Sequence, residues 1–341
     1  MILRAHDCRE INRIRWSPDV QRFFEVYYLH FVDPGGRYTG WVRYVLFASG
    51  GRAPEVTIWA ARFDADDPTR SVLVRRTFPL SEARIEKGTL GFGVGASGFT
   101  EREWWGSVAS DAHTMEWELK LEEGEVSLLH LPESMYYGAF PPTKFLAPFF
   151  RARVSGVFTL DGHSYRVQGA PANSAHYWGE RLAERRAWAI CNAFREDPEF
   201  SFEGVSARPR MGSLLLPRIT FLCFYWDGVM HTLNSPLQSL RNRSEHDLHR
   251  WRFEGRTNRW RFLGEATGRP ERMLAHRYES PDGAIAAEQY IHIDFTGDMR
   301  VEIQERTHSG WRSIKTLTAA GTAAFETSQH SHDPRVAWVA K

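Results

Sequence analysis

Alternation of apolar and polar residues in short runs separated by turn signals is the feature that most restricts this chain. In residues 22–47, RFFEVYYLHFVDPGGRYTGWVRYVLF, two alternating runs flank Asp33-Pro34-Gly35-Gly36. On the second run Trp41, Arg43, Val45 and Phe47 share one face, and Val42, Tyr44 and Leu46 the other. A period of two places side chains on opposite faces only in an extended strand. The same pattern recurs in HTMEWELKLEEGEVSLLHL, where Met115, Trp117, Leu119 and Leu121 form one face. RARVSGVFTLDGHSYRVQG is a strand pair around Asp161-Gly162, and LPRITFLCFYWDGVMH another around Asp227-Gly228; Asp-Gly suits a tight hairpin turn. Short runs continue through HRWRFEG, NRWRFLGEA and DMRVEIQER. This reads as an all-β chain of barrels or sandwiches.

At 341 residues the chain is long enough for two domains. The Pro- and Gly-bearing stretch 195–213 is the expected junction, giving domains 1–197 and 198–341. One segment resists assignment. ERLAERRAWAICNAF (180–194) has a helical composition, yet Trp188, Ile190 and Phe194 alternate as in a strand, so both readings stay open. No internal repeat is visible in the sequence.

Charge is balanced, 43 Lys and Arg against 42 Asp and Glu, which gives no basic surface for nucleic acid. Cys8, Cys191 and Cys223 are scattered and odd in number, so neither a disulfide framework nor a zinc site is expected. The opening MILRAHDCREINRIRW lacks the apolar run of a secretory leader, and ITFLCFYW is too short to span a bilayer. A cytoplasmic protein is expected. Contact with a membrane surface stays open, and nothing indicates an oligomeric state. GFGVGASG (91–98) is Gly-rich without the Lys of a phosphate loop and reads as a flexible loop at a barrel mouth. His246 and His249 have weak metal-ligand spacing, no metal is expected, and SQHSHDP reads as a mobile tail.

One segment is aromatic beyond what alternation needs: His176-Tyr177-Trp178-Gly179, then Trp188 and Asn192-Ala193-Phe194. It resembles the His-x-Trp-Gly signature of the carotenoid 1,2-hydratase, tocopherol cyclase and lipocalin-like Diels–Alderase superfamily. The strand pair at 156–169, the opening FFEVYYLHFVDPGGRYTGWVRYVL and the Tyr278-x-x-Pro281-x-Gly283 hairpin are similar to that superfamily too. The resemblance implies two tandem lipocalin-like β-barrels, an apolar cavity and no cofactor. From the hydratases it also implies functional His-x-Trp and Tyr-x-Asp pairs, here His176, Trp178, Tyr225 and Asp227.

Such a set suits acid-initiated chemistry. A carboxylic acid held in an apolar pocket stays protonated and can protonate an alkene. Aromatic faces then stabilise the cation, by about 1–2 kcal/mol each when desolvated. Capture by water gives a hydratase, and capture by an internal hydroxyl or alkene gives a cyclase. A pericyclase needs only the shape of the cavity. Asp227, Tyr225 and His176 are the expected catalytic residues; Trp178, Trp188, Tyr177 and Phe221 are the expected walls for a hydrophobic isoprenoid or polyketide. Each has a plainer reading: Asp227-Gly228 as a turn, His176 as a core histidine, Trp178 and Trp188 as packing. The rival functions are a carrier of hydrophobic ligands and an interaction module with filled barrels.

Overall fold

The computed structural model describes residues 3–86, 90–122, 124–211, 214–281 and 288–339. It is almost wholly β, with one α-helix of six residues among the described residues. The strands of the first half are β1 (Phe23–Val32), β2 (Tyr38–Ala48), β3 (Glu55–Asp64), β4 (Val72–Pro79), β5 (Arg84–Ile85), β6 (Gly91–Val94), β7 (Ser97–Thr100), β8 (Glu103–Ala109), β9 (Thr114–Leu121), β10 (Val126–Leu129), β11 (Thr143–Leu160) and β12 (His163–Gly179). The second half holds β13 (Glu184–Cys191), β14 (Ser201–Arg208), β15 (Arg210–Met211), β16 (Leu214–Leu215), β17 (Ile219–Trp226), β18 (Val229–Leu233), α1 (Pro236–Arg241), β19 (Arg243–His246), β20 (Arg250–Arg256), β21 (Trp260–Thr267), β22 (Leu274–Glu279), β23 (Glu288–Thr307), β24 (Gly310–Gln329) and β25 (Ala337–Trp338).

Two compact units result: residues 1–182 with 279–287 and 341, and residues 183–278 with 288–340. The chain therefore crosses from one to the other between Leu182 and Ala183, and the stretch 195–213 lies inside the second unit. The ambiguous segment explains this. It forms β13, a strand paired on both sides, with β14 and β24. Those partners bind it into the second sheet, and its helical composition is overridden by pairing.

The two sheets share one connectivity. The first runs β4-β3-β2-β1-β12-β11-β9-β8-β7-β6-β5, with β10 beside β11. The second runs β18-β17-β14-β13-β24-β23-β21-β20-β19, with β22 beside β23. Thus β13, β14, β17 and β18 repeat β1 to β4, and β20 to β24 repeat β8 to β12. This internal duplication leaves no repeat that can be seen in the sequence, because pairing constrains parity and length more than residue identity.

Alternation does the work expected of it. Val42, Tyr44 and Leu46 of β2 enter the first core, and β9 buries Met115, Trp117, Leu119 and Leu121 while exposing the residues between them. The interior is filled by rings: Phe99 stacks on Trp104 at 4.9 Å and on Phe92 at 5.5 Å. In the second core Phe202 stacks on Phe253 at 4.6 Å, and Phe224 on Phe262 at 4.2 Å. Such pairs add about 0.5–1.5 kcal/mol each beyond burial. Asp161-Gly162 has φ of 51° and 77°, and Asp227-Gly228 has 50° and 70°, the left-handed pair of a type I′ turn.

Close packing also needs Gly40. It lies opposite Phe31, and a Cβ there would sit 2.2 Å from the Phe31 ring. Gly40→Ala is expected to cost about 1–3 kcal/mol by overpacking, read from urea unfolding. A neutral result would mean that the ring can turn aside.

Two loop readings change. GFGVGASG is a tight hairpin of the buried strands β6 and β7 with an exposed turn, rather than a loose loop; the missing side chain of Gly98 lets Trp105 and the Phe92 carbonyl approach it. The tail is docked rather than mobile: β25 pairs in parallel with β22, and the His332 ring stacks over His292 at 5.8 Å. Asp282 and Gly283 of the 278–283 hairpin lie outside the described residues. No helix among the described residues is long and apolar enough to cross a membrane.

Candidate functional site

The pairing of β2, β1, β12 and β11 aligns two rows of side chains on one sheet face. Leu46, Glu25, Trp178 and Lys144 form the first row; Tyr44, Tyr27, His176 and Leu146 form the next. Residues opposite one another in an antiparallel ladder share a face. Glu25 and His176, 151 residues apart in sequence, therefore meet with Nε2 to Oε1 at 2.9 Å, both wholly buried.

Glu25 is surrounded by donors. Its Oε1 also accepts the Arg15 backbone N–H at 2.7 Å and the Tyr27 hydroxyl at 3.1 Å, and its Oε2 accepts the Trp16 N–H at 2.9 Å. Four donors on one carboxyl describe an ionised acceptor. That fixes the tautomer of His176, since Nε2 must carry the proton that it donates. Nδ1 is then a bare lone pair, and it has no hydrogen-bond partner among the described residues. Burial pulls the His176 pKa down, and the Glu25 bond and charge only partly oppose this. Burial, aided by Glu25, also pushes the Tyr27 hydroxyl well above its usual range. At neutral pH the site holds a neutral imidazole against a carboxylate.

Rings enclose the imidazole. Tyr27 stacks on one side at 4.0 Å and Trp178 at 4.3 Å. Tyr27 continues to Phe99 at 4.8 Å, so Trp178, His176, Tyr27, Phe99 and Trp104 form a continuous column into the core. The Arg15 guanidinium lies 5.4 Å from the Trp178 ring centre. Residues 3–22 cover this end of the sheet: Cys8 and Ile11 pack with Trp178, Tyr136, Phe23 and Leu146, and the two backbone bonds to Glu25 hold the arm down.

The other expected site residues lie elsewhere. Tyr177 projects from the opposite face of β12, where its hydroxyl accepts from Arg43 at 2.7 Å and its ring meets Phe24 edge-on. In the second unit Trp188, Phe221 and Tyr225 share one sheet face through the register of β13, β14 and β17. It is the face turned away from the second core. There the Trp188 indole N–H donates to the wholly buried Glu203 at 3.0 Å. Asp227 is exposed at the tip of the β17–β18 hairpin. The enclosure that an acid would need is not around it, and turn geometry accounts for the Asp-Gly dipeptide. His246 and His249 turn to arginines, Arg218 and Arg335, at 2.9 Å and 2.8 Å.

Glu25, Tyr27 and Arg15 are not among the residues that the sequence motifs single out. One signal for Glu25 was present. It is a carboxylate inside FFEVYYLHFV with the same parity as Phe23, Tyr27, Leu29 and Phe31, so it had to face the core and need a partner there.

Residues 147–328 match the tocopherol cyclase-like family. Two uncharacterized proteins of Mycobacterium tuberculosis, MT0513 of strain CDC 1551 and Rv0493c of strain H37Rv, are each 26% identical over 288 residues, covering 83% of this chain and 84% of their own. The crystal structure of NE1406 from Nitrosomonas europaea, described as an AttH, superposes with a TM-score of 0.53 at 11% identity, over 90% of this chain and 92% of that one. At that identity the likeness speaks for the fold, two lipocalin-like β-barrel domains. The family match takes in β12 with His176 and Trp178 and covers more than half of the chain, so the protein belongs to the tocopherol cyclase-like family.

Proposed function

We propose that the chain is a cofactor-independent enzyme that adds a hydroxyl group across an alkene of a hydrophobic isoprenoid or polyketide substrate, by hydration or by ring closure. The single observation that carries this reading is the buried Glu25–His176 pair, with Nδ1 unpaired between aromatic faces. In this reading Nδ1 takes the hydroxyl proton, and Glu25 stabilises the imidazolium that forms. The same nitrogen then delivers the proton to the alkene carbon as the C–O bond closes. The O–H and π bonds break, and the C–H and C–O bonds form. An imidazolium in an apolar site is a stronger acid than one in water, which favours that delivery. Trp178 and Tyr27 offer π faces to positive charge developing on carbon. Because His176 is wholly buried, substrate entry requires the arm carrying Arg15 and Trp16 to swing aside.

Asp227 at an exposed turn favours a second reading, a carrier or a shape-templated catalyst that needs no acid. One experiment separates the readings. The purified protein is extracted to identify any lipophilic ligand, then incubated with hydroxylated polyprenyl compounds and prenylated phenols, with products followed by mass spectrometry. His176→Gln is expected to lower turnover by about 10²–10⁴-fold while ligand binding survives. Binding without conversion by the unaltered protein would leave the carrier reading. Conversion unaffected by His176→Gln but lost in Trp178→Ala would leave the shape-templated one.

A further inference from the structure

In the second barrel the end equivalent to the Glu25–His176 end carries the opposite chemistry. Arg208 closes β14, Arg218 directly precedes β17, and Arg185 sits at the bulge that starts β13. Their charges act on one another: Arg208 and Arg185 both disfavour the charge on Arg218, as does its partial burial. Among the described residues none of the three forms an ion pair, and the buried Nε of Arg208 has no hydrogen-bond partner.

Beneath them lies a floor of hydroxyls. Arg218 reaches Ser206 Oγ at 3.3 Å and His246 Nδ1 at 2.9 Å. Ser206 lies 3.0 Å from Thr220 Oγ1 and accepts from Ser244 at 2.8 Å; Ser244 accepts the Trp251 indole N–H at 2.8 Å. His246 gives its one ring N–H to the Arg185 carbonyl, and burial with the Arg218 charge lowers its pKa to about 4, so it stays neutral. Asp247, a carboxylate whose charge acts on His246, is exposed, and its Oδ1 accepts the backbone N–H groups of His249 and Arg250.

Three guanidinium groups held together, with no ion pair to any of them among the described residues, destabilise the ligand-free chain. Such an arrangement persists where a ligand supplies the missing negative charge. Guanidinium forks match phosphate oxygens, and three of them suit a dianion or trianion better than one carboxylate. We infer that this end of the second barrel, built from Arg185, Arg208, Arg218 and the Ser206–Thr220–Ser244 hydroxyls, binds the phosphate or diphosphate group of a ligand. This site is in a different barrel from His176 and stands independently of the reaction proposed there.

The test uses the full chain and pyrophosphate, by isothermal titration calorimetry and thermal unfolding. Pyrophosphate is expected to bind, more tightly than inorganic phosphate, and to raise the unfolding midpoint. Arg208→Gln and Arg218→Gln should each weaken it about tenfold or more, the loss of one charge-assisted hydrogen bond. Both should also raise the midpoint of the ligand-free protein, because they relieve repulsion; a merely structural role would lower it. The exposed Arg185→Gln gives the same readout without risk to the core. Comparing farnesyl diphosphate, farnesol and pyrophosphate identifies the source of the group. A preference for farnesyl diphosphate over pyrophosphate marks a lipid ester, and equal affinity marks the free anion. Absence of pyrophosphate binding at millimolar concentration, binding indifferent to all three substitutions, or farnesol binding as well as its diphosphate would overturn the inference.

Discussion

Glu25→Leu is expected to cost about 3–5 kcal/mol of unfolding free energy, the range for removing one partner of a buried pair. The reason is the number of donors that the carboxylate satisfies. Without it the His176 Nε2–H, the Tyr27 hydroxyl and the Arg15 and Trp16 amides all lose their acceptor. Each buried donor left unsatisfied costs about 1–3 kcal/mol, and water reaching the two amides of the arm recovers part of that sum. The arm should loosen first, so amide exchange at residues 15 and 16 should accelerate more than in the β9 ladder. Glu25→Gln keeps one carbonyl but turns an NH₂ toward a donor, so an intermediate loss is expected. A double-mutant cycle with His176→Phe then isolates the share owed to the pair itself. Urea unfolding measures all of these. A loss in Glu25→Leu below about 1 kcal/mol would show that the four donors find other acceptors, and the pair would lose its structural importance.

Acid should weaken both barrels through their buried histidines. Burial lowers the pKa of His30 in the first unit, and of His292 in the second, from 6.5 to about 4 in each case. His30 is held to Asn173 at 3.1 Å. His292 Nε2 accepts the Asp333 backbone N–H at 3.2 Å, a bond that only the neutral ring can make. A histidine whose folded pKa lies below its unfolded value binds its proton first in the unfolded chain. Its contribution is complete above about pH 6.5, declines as the pH falls toward about 4, and is gone below. Each such histidine is worth about 3 kcal/mol across that window. Protonation of His292 also removes the acceptor that helps to hold the tail, beside His332 and His249, whose charges oppose its own. The unfolding midpoint in urea should therefore drop steeply between about pH 6.5 and about pH 4. His30→Gln and His292→Gln should each flatten that slope. A midpoint independent of pH across this interval would refute the prediction.

Much of this architecture is written locally. Parity in β2 and β9 decides which residues enter the core, because a strand has only two faces. The two Asp-Gly turns are fixed by residues that tolerate positive φ, so both hairpins follow from four letters of sequence. That His176 and Trp178 share a face follows from the same parity.

Other features depend on partners far along the chain. Whether ERRAWAIC is strand or helix was settled by β14 and β24, one of them more than a hundred residues away, and its own propensities did not settle it. The duplication of the two units exists in pairing order and not in residue identity. Neither the Glu25–His176 pair nor the three arginines of the second barrel are neighbours in sequence, and only register sets them together. Asp227 shows the converse: the letters Tyr-x-Asp allowed an acid and a turn alike, and the hairpin put that carboxylate in solvent. The sequence by itself determined strand, face and turn, because these are short-range steric facts. The tertiary structure alone decided which polar side chains meet, because a ladder can slip by two residues without changing which face is buried, and only long-range packing selects one register.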